Sequence, residues 1–208
     1  KDCGCKLIMD VSVWQEIEKC EPLSGSERPD DHDAAFAVYT SGSTGAPKGV
    51  LHEYGNIDLI AVSLNITLLS FGLIAPLNFV ATIIAFCITM HCGGTMYIIP
   101  FEIVKNPPAL AECFVSNSIT QTFCAPSVYA LFRNIPGLKL IIVSSEPAYG
   151  IWSDSPELSV INVYAMSEGG FIVTTAKLDT PNETAPIGKP QFDLDVTLKD
   201  EDGNNDAD

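Results

Sequence analysis

Positive charge is scarce in this 208-residue chain: 11 Lys and Arg stand against 26 Asp and Glu, a formal net charge of −15. Such a surface repels phosphate backbones and anionic lipid heads, which argues against nucleic acid and membrane surfaces as partners. A mononucleotide is not excluded, because it needs only local amides, one or two cations and a metal. Charge of either sign is missing between Asp58 and Glu102, where only His91 interrupts the run. That stretch does not read as a membrane span. Asn65, Thr67, Ser70, Gly72, Pro76 and Asn78 cut it into pieces shorter than the roughly 20 apolar residues a spanning helix needs. The pieces alternate between strand-like ITLLSFGLI (66–74) and helix-like FVATIIAFCITM (79–90), as in the buried centre of an α/β domain.

CxxC pairs are absent. The seven cysteines stand at 3, 5, 20, 87, 92, 113 and 124. Cys3 and Cys5 are too close for a zinc knuckle and have no matching Cys/His pair downstream. Cys87, Cys92, Cys113 and Cys124 lie in apolar surroundings and read as core thiols, which points to a reducing compartment and a cytoplasmic protein. The first ten residues show no basic segment leading into an apolar one, so no secretory signal is visible. With 47% hydrophobic and 18% charged residues the chain is globular rather than disordered.

Short apolar runs recur with longer periodic segments between them. KLIM (6–9) precedes a helical VSVWQEIEKC (11–20), and AFAVYT (35–40) reads as a strand. A glycine-rich turn follows, then an expected helix beginning near His52. Later strands are expected at 95–100, 120–125, 138–145, 159–165 and 171–176, with helices from Pro107 and over Ser127–Arg133. FDLDVTL (192–198) alternates like an edge strand. Strands alternating with helices predict a mostly parallel, doubly wound α/β sheet flanked by helices.

The most informative stretch runs from Tyr39 to Val50: YTSGSTGAPKGV. Gly42, Gly45 and Gly49 permit close backbone approach. The hydroxyls of Thr40, Ser41, Ser43 and Thr44, free backbone amides and Lys48 can together wrap a polyphosphate. It is not a Walker A loop, because Lys48 is followed by Gly49 rather than Ser or Thr.

YTSGSTGAPKGV resembles the signature phosphate-binding motif of the adenylate-forming (AMP-binding) enzymes: acyl- and aryl-CoA ligases, luciferases and the adenylation domains of non-ribosomal peptide synthetases. Downstream, Asn162-Val163-Tyr164-Ala165-Met166-Ser167-Glu168 resembles the family's N-x-Y-G-x-T-E block, with Ala165 for Gly and Ser167 for Thr. LKLIIVSSEPA (138–148) is similar to a strand and turn that usually read I-x-x-G-G-E, with Ser144 and Ser145 replacing the glycines. Ile187-Gly188-Lys189-Pro190 is similar to the x-G-x-P element.

The resemblance implies the large N-terminal lobe of such an enzyme, with ATP and Mg²⁺ as the required small molecules. Thr40, Ser41, Ser43, Thr44 and Lys48 would hold the β- and γ-phosphates, and Gly42 and Gly45 would shape the loop. Glu168 would bind Mg²⁺, Tyr164 would stack on adenine, and Ser167 would meet the α-phosphate, with Asn162 in the same block. Ser145, Glu146 and Pro147 would border adenine. Phe79, Val80, Ser144, Ala165 and Met166 would form the acid pocket. Lys48, Thr44 and Glu168 would serve the reaction itself, attack of a carboxylate on the α-phosphorus to give acyl-AMP and pyrophosphate. Alignment and charge neutralisation supply the rate of such a step.

Two readings of the acid stay open. Amino-acid-activating members carry an F-D-x-S block whose aspartate pairs with the α-ammonium. Counting back from Gly93 places that block on Phe79-Val80-Ala81-Thr82, so Val80 stands at the aspartate's position. A valine cannot pair with an ammonium, which favours an aryl, fatty, keto or hydroxy acid. An insertion within SFGLIAPLNFVA would shift the count and restore an amino acid. His52 and His91 read as structural histidines.

The ribose-binding aspartate and the small C-terminal lobe of the resembled family have no counterpart here. Residues 1–208 are therefore expected to be a partial adenylation domain, inactive by itself. The thiol acceptor, a carrier-protein phosphopantetheine or coenzyme A, would be met through the missing lobe. A non-catalytic ATP-binding module is the alternative.

Overall fold

The computed structural model describes residues 11–21, 25, 29–40, 46–57, 69–76, 79–169, 171–191 and 194–200. The KLIM segment and the loop residues Ser41, Gly42, Ser43, Thr44 and Gly45 lie outside the described residues. After helix α1 (Val11–Ile17), strands β1 (Ala34–Thr40) and β2 (Lys48–Glu53) form an antiparallel pair in which Thr40 faces Lys48 and Tyr39 faces Gly49. Strand β2, which the sequence reading did not separate out, therefore comes first, and the helix expected near His52 begins at Tyr54. The local reason is visible at Gly49. A Cβ there would stand 3.3 Å from the Tyr39 ring, so the glycine lets the tyrosine lie across the partner strand. The glycine-rich segment consequently lies in sequence between two paired strands.

The main sheet has the order β4-β3-β5-β6-β7-β8-β9, built from β3 (Ser70–Leu73), β4 (Thr95–Ile98), β5 (Gln121–Cys124), β6 (Leu140–Val143), β7 (Ser159–Met166), β8 (Phe171–Lys177) and β9 (Lys189–Pro190). Strands β4 to β7 pair in parallel, whereas β8 and β9 add antiparallel. The mostly parallel α/β expectation holds. Of the edge strand expected over 192–198, the described residues 194–198 are not in a strand. Leu194, Val196 and Leu198 are 39%, 47% and 59% exposed, so their alternation has no surface to bury against. The edge is instead the two-residue β9.

Helix α2 (Val80–His91) connects β3 to β4, and α3 (Phe101–Val104) with α4 (Pro107–Ser116) connects β4 to β5. The two crossovers cover opposite faces. On one, Ala85 and Ile88 of α2 pack with Phe71, Leu73, Leu140 and Val163. On the other, Leu110 and Phe114 of α4 pack with Cys124, Ile141, Val143 and Val160. The period-2 alternation of the strands decides which residue goes where: Phe71 and Leu73 face α2, and Gly72 between them faces α4. A Cβ on Gly72 would meet the Phe114 ring at 2.7 Å, so this glycine makes room for the core aromatic.

The start of α4 follows from local chemistry. The Asn106 side chain accepts a hydrogen bond from the Ala109 N–H at 3.3 Å, and Pro107 occupies the first helical position, where no donor is missed. In α2, Thr82 donates to the Pro76 carbonyl at 2.8 Å and Thr89 to that of Ala85 at 2.7 Å, which satisfies two buried hydroxyls. The helix expected over Ser127–Arg133 is a 3-10 helix, Pro126–Leu131. No helix among the described residues is long and apolar enough to cross a membrane.

Candidate functional site

The chain leaves β3 toward β4 on one side, then returns past β3 to build β5, β6 and β7 on the other. That reversal, between β3 and β5, is a topological switch point. Crevices outside the carboxyl ends of parallel strands at such a point are where open α/β sheets take up ligands. A cavity of about 390 Å³ lies here, between the carboxyl ends of β5, β6 and β7 and one face of α2.

Its two parts differ in chemistry. The interior is apolar, walled by Phe71, Phe123, Ile142 and Val163 from the sheet and by Ile84 and Ile88 from α2. The polar lining comes from Thr40 at the end of β1, Ser144 and Ser145 after β6, and Ser167 and Glu168 after β7. Ser144, Ser145, Ser167 and Glu168 converge because β6 and β7, parallel neighbours, bring their carboxyl ends to one edge, and Thr40 joins them from the separate β1–β2 pair.

Backbone features shape that edge. Ser145 adopts φ 80°, the left-handed region that glycine favours and serine rarely occupies. The turn out of β6 thus sets a serine in a conformation better suited to the glycine expected there from the I-x-x-G-G-E resemblance. The Ser127 N–H donates to Glu146 Oε2 at 3.2 Å, and the Tyr129 hydroxyl donates to the Trp152 carbonyl at 2.9 Å, tying the β6–β7 loop to the 3-10 helix. Burial pushes the Tyr129 phenol above its ordinary range. At the end of β7 the register with β8 shifts between Tyr164 and Ala165, which re-aims the last residues toward the cavity.

Of the sequence-expected site residues, Thr40, Phe79, Val80, Ser144, Ser145, Ala165, Met166, Ser167 and Glu168 come together around the cavity. Lys48 lies beside them, exposed on β2 and paired with Thr40. Glu146, Pro147, Asn162 and Tyr164 do not line it. Asn162 is buried and donates to the Pro186 carbonyl at 2.8 Å, so its visible role is to anchor the chain ahead of β9. Tyr164 is 42% exposed. His52 is buried and stacks on Phe36 at 5.0 Å between ring centroids, and burial holds its imidazole below the usual range. His91 is exposed at the end of α2. The apolar wall from β5, β6 and β8 escaped sequence reading, because a strand residue facing a cavity looks the same as one facing a core.

A model of the AMP-binding enzyme family matches residues 4–208. The chain belongs to that family. Among curated relatives, the hybrid PKS-NRPS synthetase TAS1 of Pyricularia oryzae is 30% identical over 190 residues, covering 82% of this chain and 11% of that protein. The chain thus spans about a tenth of this relative's length. Among solved structures, the N-terminal domain of FACL13 from Mycobacterium tuberculosis superposes with a TM-score of 0.74 at 18% identity, covering 94% of this chain and 52% of that one. The Vibrio cholerae adenylation domain AlmE, solved in complex with glycyl-adenosine-5'-phosphate, gives 0.69 at 22% identity, with 85% and 36% covered. At these identities the superpositions show a shared fold.

Proposed function

We propose that this chain supplies the nucleotide- and acid-binding part of an adenylation domain of the peptide-synthetase type, in a cytoplasmic protein longer than these 208 residues. The reaction joins a carboxylate to ATP: a carboxylate oxygen bonds to the α-phosphorus, the bond from that phosphorus to the α,β-bridging oxygen breaks, and pyrophosphate leaves. The observation that carries this reading is the two-part cavity, a polar edge of Thr40, Ser144, Ser145, Ser167 and Glu168 over an apolar chamber. A phosphoryl group and an acyl chain want those two surroundings side by side. The AlmE complex with glycyl-adenosine-5'-phosphate, on the same fold, supports placing an acyl-adenylate here.

In this reading Thr40, Ser41, Ser43 and Thr44 donate to the β- and γ-phosphates, and Lys48 brings the cation to the phosphate end. Ser167 meets the α-phosphate, and Tyr164 and the turn at Ser145–Pro147 border the adenine. Glu168 is a hard oxygen donor at the cavity, suited to Mg²⁺. Among the described residues no cluster of three His, Cys, Asp or Glu could hold a metal unaided. Glu168 would hold Mg²⁺ together with the bound nucleotide, and the ion would supply charge neutralisation for the pyrophosphate leaving group. Thiol transfer to a carrier-protein phosphopantetheine or to coenzyme A would follow through a further lobe.

The test is acid-dependent ATP–pyrophosphate exchange by the parent protein that contains this chain, with Lys48→Ala and Glu168→Ala alongside. Exchange that falls at least about tenfold in both variants supports the assignments, tenfold being about 1.4 kcal/mol of transition-state stabilisation. Mg-ATP binding without exchange for any acid would favour a non-catalytic nucleotide module.

A further inference from the structure

The turn that brings Ser144 and Ser145 to the cavity is tied down by a side chain that does not line it. Strands β5 and β6 are parallel neighbours whose last residues, Cys124 and Val143, are paired. Ser127 and Glu146 each stand three residues beyond those ends. The two segments therefore leave the sheet side by side, and the Ser127 N–H donates to Glu146 Oε2 at 3.2 Å.

That donor is one the local backbone leaves over. In the first turn of the 3-10 helix, Pro126 has no N–H, and Val128 gives its own to the Ala125 carbonyl at 3.0 Å. Ala125, at the N-cap, has no side-chain oxygen to accept from Ser127. A carboxylate arriving from the neighbouring strand takes that place, and its charge strengthens the bond.

Next to Glu146 stands Ser145, with φ 80°. A serine stays in that region only when its surroundings impose it. Farther along, Ala148 accepts from the Ala185 N–H at 2.7 Å and Trp152 from the Tyr129 hydroxyl at 2.9 Å. Those bonds fasten the loop after the turn, whereas the Glu146 bond fastens the turn itself. Ser127 and Glu146 are both exposed, so the bond between them contributes little to global stability.

We infer that Glu146 is a positioning residue for the nucleotide: through the Ser127 amide it holds Ser145 in the left-handed conformation at the polar edge of the cavity. The inference rests on the proposed acyl-adenylate chemistry. It gives Glu146 a role other than bordering adenine, because its carboxylate is engaged by the 3-10 helix.

The experiment is pyrophosphate exchange by the parent protein, using whichever acid exchanges fastest in a panel of amino, aryl, fatty and keto acids. KM is measured separately for ATP and for that acid. Glu146→Ala is expected to raise the KM for ATP at least about fivefold and to leave the acid's KM within about twofold of wild type. Glu146→Asp, whose carboxylate is retracted by one methylene, should do the same and serves where the alanine variant folds poorly. Glu146→Gln keeps an oxygen that can accept the same N–H and should restore the wild-type KM. Tyr129→Phe cuts the tie at the far end of the loop, and should lower the unfolding midpoint without moving the KM for ATP. In a Ser145→Gly background, where the left-handed region costs little, Glu146→Ala should change the KM for ATP by less than about twofold.

An unchanged KM for ATP in the folded alanine and aspartate variants overturns the inference and leaves acyl-adenylate formation standing. So does a glutamine variant as impaired as the alanine one, or an equal increase with and without Ser145→Gly. A rise in Tyr129→Phe as large as that in Glu146→Ala also overturns it, since any loosening of the loop would then suffice. Exchange with no acid by the unaltered protein overturns both.

Discussion

The side-chain amide of Asn162, on the fourth residue of β7, donates to the carbonyl of Pro186 at 2.8 Å, so one strand of the cavity wall also holds the segment that delivers β9 to the sheet edge. Two residues on, Gly188 has φ 91°, and a Cβ built there would lie 1.9 Å from the Thr175 carbonyl oxygen. The buried amide and the glycine act together: one fixes where the chain arrives, the other lets it cross the β8 backbone.

Gly188→Ala is therefore expected to break the β8–β9 pairing. The substitution meets both an unfavourable backbone region and a backbone atom, and a loss of at least about 1–3 kcal/mol is expected from the first alone. Chemical denaturation of the parent domain measures it. Hydrogen exchange at Thr174, Thr175 and Lys189 should accelerate in the same variant.

Asn162→Leu should cost about 1 kcal/mol, the net worth of a hydrogen bond in a partly buried setting. The carbonyl it leaves can turn to water, because Pro186 is exposed. A cost above that of Gly188→Ala would show that the amide does more than anchor β9.

At Ser145 the expectation reverses. A non-glycine residue held at φ 80° stores strain of order 1 kcal/mol, so Ser145→Gly should raise stability by about that much. Ser145→Val should lower it. Thermal unfolding of the three proteins reads the order directly.

The Cys124 thiol is buried and its pKa is pushed up to about 12 by desolvation. It should resist thiol reagents at pH 8 while the fold is intact, and it should label only after denaturation. Cys20, exposed near the end of α1, should label at once. Mass mapping of alkylated peptides separates the two. Prompt labelling of Cys124 would mean that the β5 core opens readily.

Much of the architecture was legible in sequence because parallel strands carry unbroken apolar runs. LKLIIVSS and SVINVYA became parallel neighbours, and FIVTTA paired antiparallel beside them. Two segments misled for physical reasons. Strand β2 went unseen before the helix expected near His52: Gly49 lets Tyr39 lie over the returning chain, so an antiparallel pair forms before the helix begins at Tyr54. FDLDVTL alternates like a strand, yet β9 already occupies the edge. In the site, the polar residues announced themselves through spaced motifs. The chamber walls did not, since Phe123, Ile142 and Ile172 are indistinguishable in sequence from the core residues beside them.

The central claim is that the cavity between α2 and the carboxyl ends of β5, β6 and β7 takes the acyl group, with the nucleotide at its polar edge. The most direct test narrows the chamber alone. Ile84→Trp in the parent protein, with Ala85→Met as a milder version, fills space next to α2 without touching the polar residues. The account predicts that KM for the acid in pyrophosphate exchange rises at least about tenfold, a difference of about 1.4 kcal/mol, while Mg-ATP binding by calorimetry is unchanged. An unaltered KM for the acid in both folded variants would contradict it.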